Sequence, residues 1–202
     1  TYRSFFFPAR EREFLLMQTV DHKRHWTLRD VIFLAIIAIF FGIIYQVWSY
    51  AYYVLAATPL KPFANDLTLG VWIMAGPLAG VLLKKPGAGL LGELLAATVE
   101  MLLFSSWGAA DLITGVTQGA GAELGFATTG YRNWGAIGLF FSTLWSTIIT
   151  FAWDWFQSGY QDYHFGLLVI LFIIRFISIG FFAGILVNWI AKLVQQTGMM
   201  GK

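Results

Sequence analysis

The chain has 202 residues, 58% of them hydrophobic before its 21 glycines are counted, with only 12% charged residues and no cysteine. Soluble domains average about 25% charged and roughly 45–50% apolar residues even with glycine included, so a water-soluble domain is excluded. The missing cysteine also excludes a disulfide framework, a thiolate metal site and a cysteine nucleophile, and a formal charge of +2 is too small to point to nucleic acid.

Residues 1–30 form the one markedly polar stretch, a head in which Arg3, Arg10, Arg12, Lys23, Arg24 and Arg29 mix with Glu11, Glu13, Asp21 and Asp30. No function is assigned to it. Val31–Ala57 then runs without a charge, far longer than the ~7–15-residue core of a cleaved signal peptide, and predicts a retained first helix. Further apolar segments follow at Leu67–Leu83, Gly87–Ser105, Leu112–Gly130, Gly135–Phe156 and Phe165–Val194. A membrane-crossing helix needs ~20 mostly apolar residues, so the pattern predicts an all-α integral membrane protein. It is a six-transmembrane-helix bundle over residues 31–195, followed by a short tail at 196–202. A β-barrel would show alternating segments of about ten residues instead. The third segment is interrupted by Glu93 and Glu100, and the fourth is rich in glycine at Gly115, Gly119, Gly121 and Gly125.

Cytoplasmic connections are enriched in Lys and Arg. In the six-helix arrangement Lys23, Arg24, Arg29, Lys84, Lys85, Arg132, Lys192 and Lys202 fall on one side, and Lys61 alone, with Asp66, Asp111 and Asp162, on the other. Both termini are therefore expected in the cytoplasm.

Charges inside a bilayer are costly and usually face a cavity or a partner. Those read inside the segments are Glu93, Glu100, Glu123 and Arg175. With a rise of ~1.5 Å per residue, Glu100 and Glu93 lie about 10 and 20 Å below Trp107 at the outer end of their helix, Glu123 about 18 Å deep and Arg175 about 15 Å deep. An ion pair of Arg175 with Glu93 or Glu123 is the structural reading. Glu100, the shallowest, stands between ligand binding and an internal hydrogen bond. Trp107, Trp72, Trp153, Trp155, Tyr160 and Tyr163 suit either a ligand or an interfacial aromatic belt. Ala38 and Gly42, four apart on the first helix, permit close helix approach.

No Gly-x-x-x-x-Gly-Lys-Ser/Thr loop is present, so ATP, if used, is handled by another subunit. The histidines are His22, His25 and His164, which give neither a zinc helix nor an intramembrane base. No catalytic residue and no metal site is predicted.

Between residues 76 and 134 the sequence becomes specific: Gly76-Pro77-Leu78-Ala79-Gly80, Lys85-Pro86-Gly87-Ala88-Gly89-Leu90-Leu91-Gly92-Glu93-Leu94-Leu95-Ala96-Ala97, Glu100, Trp107-Gly108, Gln118-Gly119, Gly121-Ala122-Glu123-Leu124, Phe126-Ala127 and Tyr131-Arg132-Asn133-Trp134. This stretch resembles the YkoE family of substrate-binding S components of energy-coupling factor (ECF) transporters, a branch of ABC vitamin importers. The resemblance implies capture of thiamine, or of its hydroxymethylpyrimidine moiety, from outside. A transmembrane scaffold subunit and cytoplasmic ATPases would power uptake, and this chain would carry no cofactor. It implies that Ala38 and Gly42 face the scaffold, and that the connection holding Pro59, Lys61, Pro62 and Asn65 covers the substrate. The candidate substrate-binding residues are Glu100, Trp107 and Gln118, with Glu93, Glu123, Trp72, Asn65, Tyr163 and His164.

The chemistry of the residues agrees: a thiazolium and an aminopyrimidine call for a carboxylate, hydrogen-bonding groups and aromatic faces. A divalent metal would want several O or N ligands together, which ranks metal transport below the vitamin. Two other classes compete. A self-sufficient proton- or cation-coupled carrier would use Glu93, Glu100, Glu123 and Arg175 as a relay, although no inverted repeat is evident. An enzyme would use Glu93 and Glu100 as acid and base, but about 10 Å along the helix is at or beyond the limit for paired carboxylates.

Overall fold

A computed structural model describes residues 25–198, and within them all regular structure is helical. The head before His25 and the last four residues, with Lys23, Arg24, His22 and Lys202, lie outside the described residues. Helix α1 (Leu28–Ala56) begins at a capping box, in which the Thr27 hydroxyl accepts from the Asp30 amide and the Asp30 carboxylate accepts from the Thr27 amide. This satisfies two otherwise orphaned donors at the helix start. Asp30 also pairs with Lys85 at 2.8 Å, and the Lys85 ammonium donates to the His25 carbonyl. The start of α1 and the turn at Lys84–Pro86 therefore share one end of the molecule, as the basic-residue pattern requires.

The next segment begins earlier than hydropathy suggests. Pro62, in the first turn where a missing N–H costs nothing, opens helix α2 (Lys61–Thr68). A 3-10 turn (Val71–Ile73) then leads into α3 (Ala75–Leu83). Together these make a broken 23-residue stretch, buried inside the protein at every residue from 68 to 83. Ser178 repairs the break, accepting from the Gly70 amide at 3.2 Å and donating to the Leu67 carbonyl at 2.8 Å. The rest comprises α4 (Ala88–Leu102), α5 (Ala110–Thr128), α6 (Ala136–Gln157), a 3-10 turn (Tyr160–Asp162) and α7 (Phe165–Ile179). From α7 the chain runs through a π-helical stretch (Gly180–Leu186) into α8 (Val187–Gln196). Each of the six apolar segments falls on helical structure. By length and composition, four stretches can cross a membrane: Leu28–Ala56, Lys61–Leu83, Ala136–Gln157 and Phe165–Gln196.

In lipid no hydrophobic drive sorts one apolar face from another, so close packing through small residues holds such helices together. Glycines of α5 do this on two sides. A Cβ on Gly121 would lie 2.5 Å from the Ser146 Cα of α6, and one on Gly115 2.7 Å from the Ala97 Cβ of α4. α3 sits at the centre, packed by α1, α4, α5 and α8.

Ala38 and Gly42 correct the sequence reading. Both are buried, and a Cβ on Gly42 would lie 2.5 Å from the Val99 Cβ and 2.8 Å from the Ala96 carbonyl. Their smooth face is used against α4 inside the bundle. The α1 face turned outward carries Ile32, Ile36, Ile39, Phe40, Ile43 and Val47. Gly42→Trp is therefore expected to damage the isolated subunit, by about 1–3 kcal/mol or more from overpacking. Thermal unfolding of the purified variant checks this; an unchanged midpoint would contradict the packing.

Candidate substrate-binding cavity

Arg175 is the best-buried large side chain and shows how one end of the bundle is organised. It is fully buried; its Nε donates to Asp66 Oδ1 and its Nη2 to Asp154 Oδ2, both at 2.6 Å. The Asp154 carboxylate also accepts from Asn65 Nδ2 at 2.8 Å, and Asp66 Oδ2 accepts from the Tyr160 hydroxyl at 2.8 Å. The guanidinium carbon lies 5.2 Å from the Phe151 ring centre and 5.7 Å from that of Tyr160, while Nη1 has no hydrogen-bond partner among the described residues. Burial first, and the Asp66 charge second, push the Tyr160 hydroxyl above its ordinary value, so it stays a donor. This network clamps α2 to α6, α7 and the Tyr160 turn.

The ion pairs expected between Arg175 and Glu93 or Glu123 are thus replaced by pairs with Asp66 and Asp154. Glu93, with no exposed surface, accepts from the Tyr45 hydroxyl and the Gly76 amide, each at 2.7 Å, and so locks α4 to α1 and to the start of α3. Glu123 accepts from the Gly87 amide at 2.6 Å and the Gly89 amide at 2.9 Å. It caps the N-terminus of α4, where free N–H groups and the helix dipole favour an anion. Neither carboxylate lines the cavity described next, and neither does His164.

That cavity has a volume of about 500 Å³ and lies beside the Asp154 clamp. Of the residues singled out from sequence, Asn65, Trp72, Glu100, Trp107, Gln118 and Tyr163 line it together. Glu100 is held by two donors, Ser49 Oγ and Trp72 Nε1, each 3.2 Å from its Oε1. Three rings gather there. The Tyr52–Trp72, Tyr52–Trp107 and Trp72–Trp107 centres are 6.0, 5.7 and 5.7 Å apart. The lining also brings residues that the sequence reading passed over as site candidates, among them Tyr45, Tyr52, Asp111, Thr117 and Asp154. Asp154 had a visible signal, being a charge inside the apolar segment Gly135–Phe156. Lys61 is the basic residue on the lining, against Glu100, Asp111 and Asp154. The cavity is thus acidic and aromatic, suited to a flat cationic molecule. Among the described residues no three His, Asp or Glu side chains group so as to hold a metal ion.

Comparison with known proteins adds three findings. The family described as "ABC-type cobalt transport system, permease component" matches residues 29–149. A protein of Bacillus subtilis (strain 168) named "Putative HMP/thiamine permease protein YkoE" is 31% identical over 177 residues, covering 88% of each chain. A solved structure described as "Crystal structure of an S-component of ECF transporter" superposes with a TM-score of 0.82 at 30% identity, covering 87% of this chain and 89% of the other.

Proposed function

The chain belongs to the YkoE-like S components of ECF transporters, and from that premise we propose that it captures thiamine, or its hydroxymethylpyrimidine moiety, from outside the cell. It does so as a six-pass protein of the bacterial cytoplasmic membrane with both termini in the cytoplasm. A transmembrane scaffold subunit and cytoplasmic ABC ATPases, which use the ATP, supply the energy for uptake, and this chain carries out no catalysis. The observation that carries the reading is the cavity of about 500 Å³, where the Glu100 carboxylate lies beside the rings of Trp72, Trp107 and Tyr52. That volume is in the ~300–1,000 Å³ range of small-molecule sites. Ring faces attract a cation through their quadrupoles, an attraction that strengthens when water is removed.

The carrier reading has less support from the contacts of its relay residues. Glu93 and Glu123 are occupied by structural hydrogen bonds, and Arg175 pairs with Asp66 and Asp154. The deciding experiment is mass spectrometry of small molecules that co-purify with the subunit, followed by calorimetric titration with thiamine and hydroxymethylpyrimidine. A chain that carries neither and binds neither overturns the reading.

The topology has its own test. Single cysteines at Ser158 and Lys84, in a chain with no native cysteine, should react with an impermeant maleimide in intact cells at Ser158 only. Labelling at Lys84 would reverse the orientation.

A further inference from the structure

We infer that Asp111 is a second ligand-contacting carboxylate of the cavity and that, with Glu100, it holds the positively charged ring of the ligand. The inference rests on the reading of the cavity as a thiamine site.

Asp111 lies in the first turn of α5 and is only 4% exposed, yet it is part of the cavity lining. Its Oδ2 is buried with no hydrogen-bond partner among the described residues. An unmet acceptor in a buried place is costly, and the residue that carries it lines the cavity, with Ser105 the side chain that hydrogen-bonds to its carboxyl. The ion pairs formed by the lysines and arginines near the site do not include it: Arg175 is committed to Asp66 and Asp154. The position at a helix N-terminus explains why an anion is tolerated there. The helix field, however, does not satisfy Oδ2.

Glu100 stands on the other side of the turn between α4 and α5, close enough that the two carboxylates act on each other. Its Oε1 is already occupied by Ser49 and Trp72. Two neighbouring carboxylates repel each other and also repel the lone pairs of a neutral pyrimidine, which offers ring acceptors beside its amino donor. A delocalised cation relieves both repulsions. Trp72 and Trp107, arranged edge to face, supply the ring faces that such a cation also favours. Thiamine carries a permanent positive ring and hydroxymethylpyrimidine does not, so Asp111 selects between them.

Purified full-length wild type, Asp111→Asn and Asp111→Glu are titrated calorimetrically with thiamine and with hydroxymethylpyrimidine, and their unfolding is followed without ligand. Asp111→Asn is expected to weaken thiamine at least about tenfold while changing hydroxymethylpyrimidine less than about threefold, with Asp111→Glu recovering part of the loss. The ligand-free midpoint is expected to stay unchanged. Unchanged thiamine affinity in Asp111→Asn, with a wild type that binds, overturns the inference and leaves the thiamine-site reading standing. Equal weakening of both ligands overturns the assignment to the charged ring. A fallen ligand-free midpoint with equal losses marks Asp111 as a structural cap and also overturns it. A wild type that binds neither molecule overturns the thiamine-site reading and this inference with it.

Discussion

Arg175→Met is expected to lower stability by about 3–5 kcal/mol, the usual loss when one partner of a buried ion pair is removed. Asp66, with no exposed side chain, would keep only the Tyr160 hydroxyl as a donor, and Asp154 would keep only Asn65 on the oxygen it now shares. Two carboxylates would then face each other without a cation. The purified variant should melt early or aggregate in detergent. Adding Asp66→Asn and Asp154→Asn should recover much of the loss, because uncompensated charge rather than missing volume is the cause. If the triple variant is no better than Arg175→Met, the clamp is held by shape instead.

The second large effect concerns binding. Glu100→Gln is expected to weaken thiamine binding by about ten- to over a hundredfold, since a hydrogen bond to a charged group contributes about 1.5–3 kcal/mol. The fold is expected to survive. A glutamine oxygen can still accept from Ser49 Oγ and Trp72 Nε1, the two donors that hold the carboxylate, and a neutral amide is cheaper to bury. Calorimetry on the folded variant decides it: unchanged affinity removes Glu100 from the contact set.

The helical segments and the shared end of Asp30 and Lys85 are legible in sequence because apolar length and basic clusters are properties of the chain alone. The inward face of α1 is not. In lipid the outward Ile and Phe residues are as apolar as the inward ones, so α1 has almost no amphipathic signal to say that Ala38 and Gly42 turn inward. Arg175 fails for a different reason. Depth counted along a helix treats Asp66 as part of an outer connection, whereas Pro62 starts a helix that carries Asp66 into the bundle. On the cavity lining, Glu100, Trp107 and Gln118 come from the motif stretch that singles them out in the sequence. Asp111 and Asp154 gain their meaning only when α5 and α6 are set around the same space.

The central stretch of residues 68–83 is buried throughout in the finished protein, and this bears on the order of assembly. It leaves the ribosome second, yet one of its walls, α8, is made more than a hundred residues later. Until then its apolar surface must rest against lipid tails, and the groups of its broken turn at Gly70 must wait for Ser178. Synthesis therefore passes through an intermediate whose central segment still lacks α8 and the Ser178 hydroxyl. A chain cut before α7 would lack Ser178 altogether and leave that turn unrepaired.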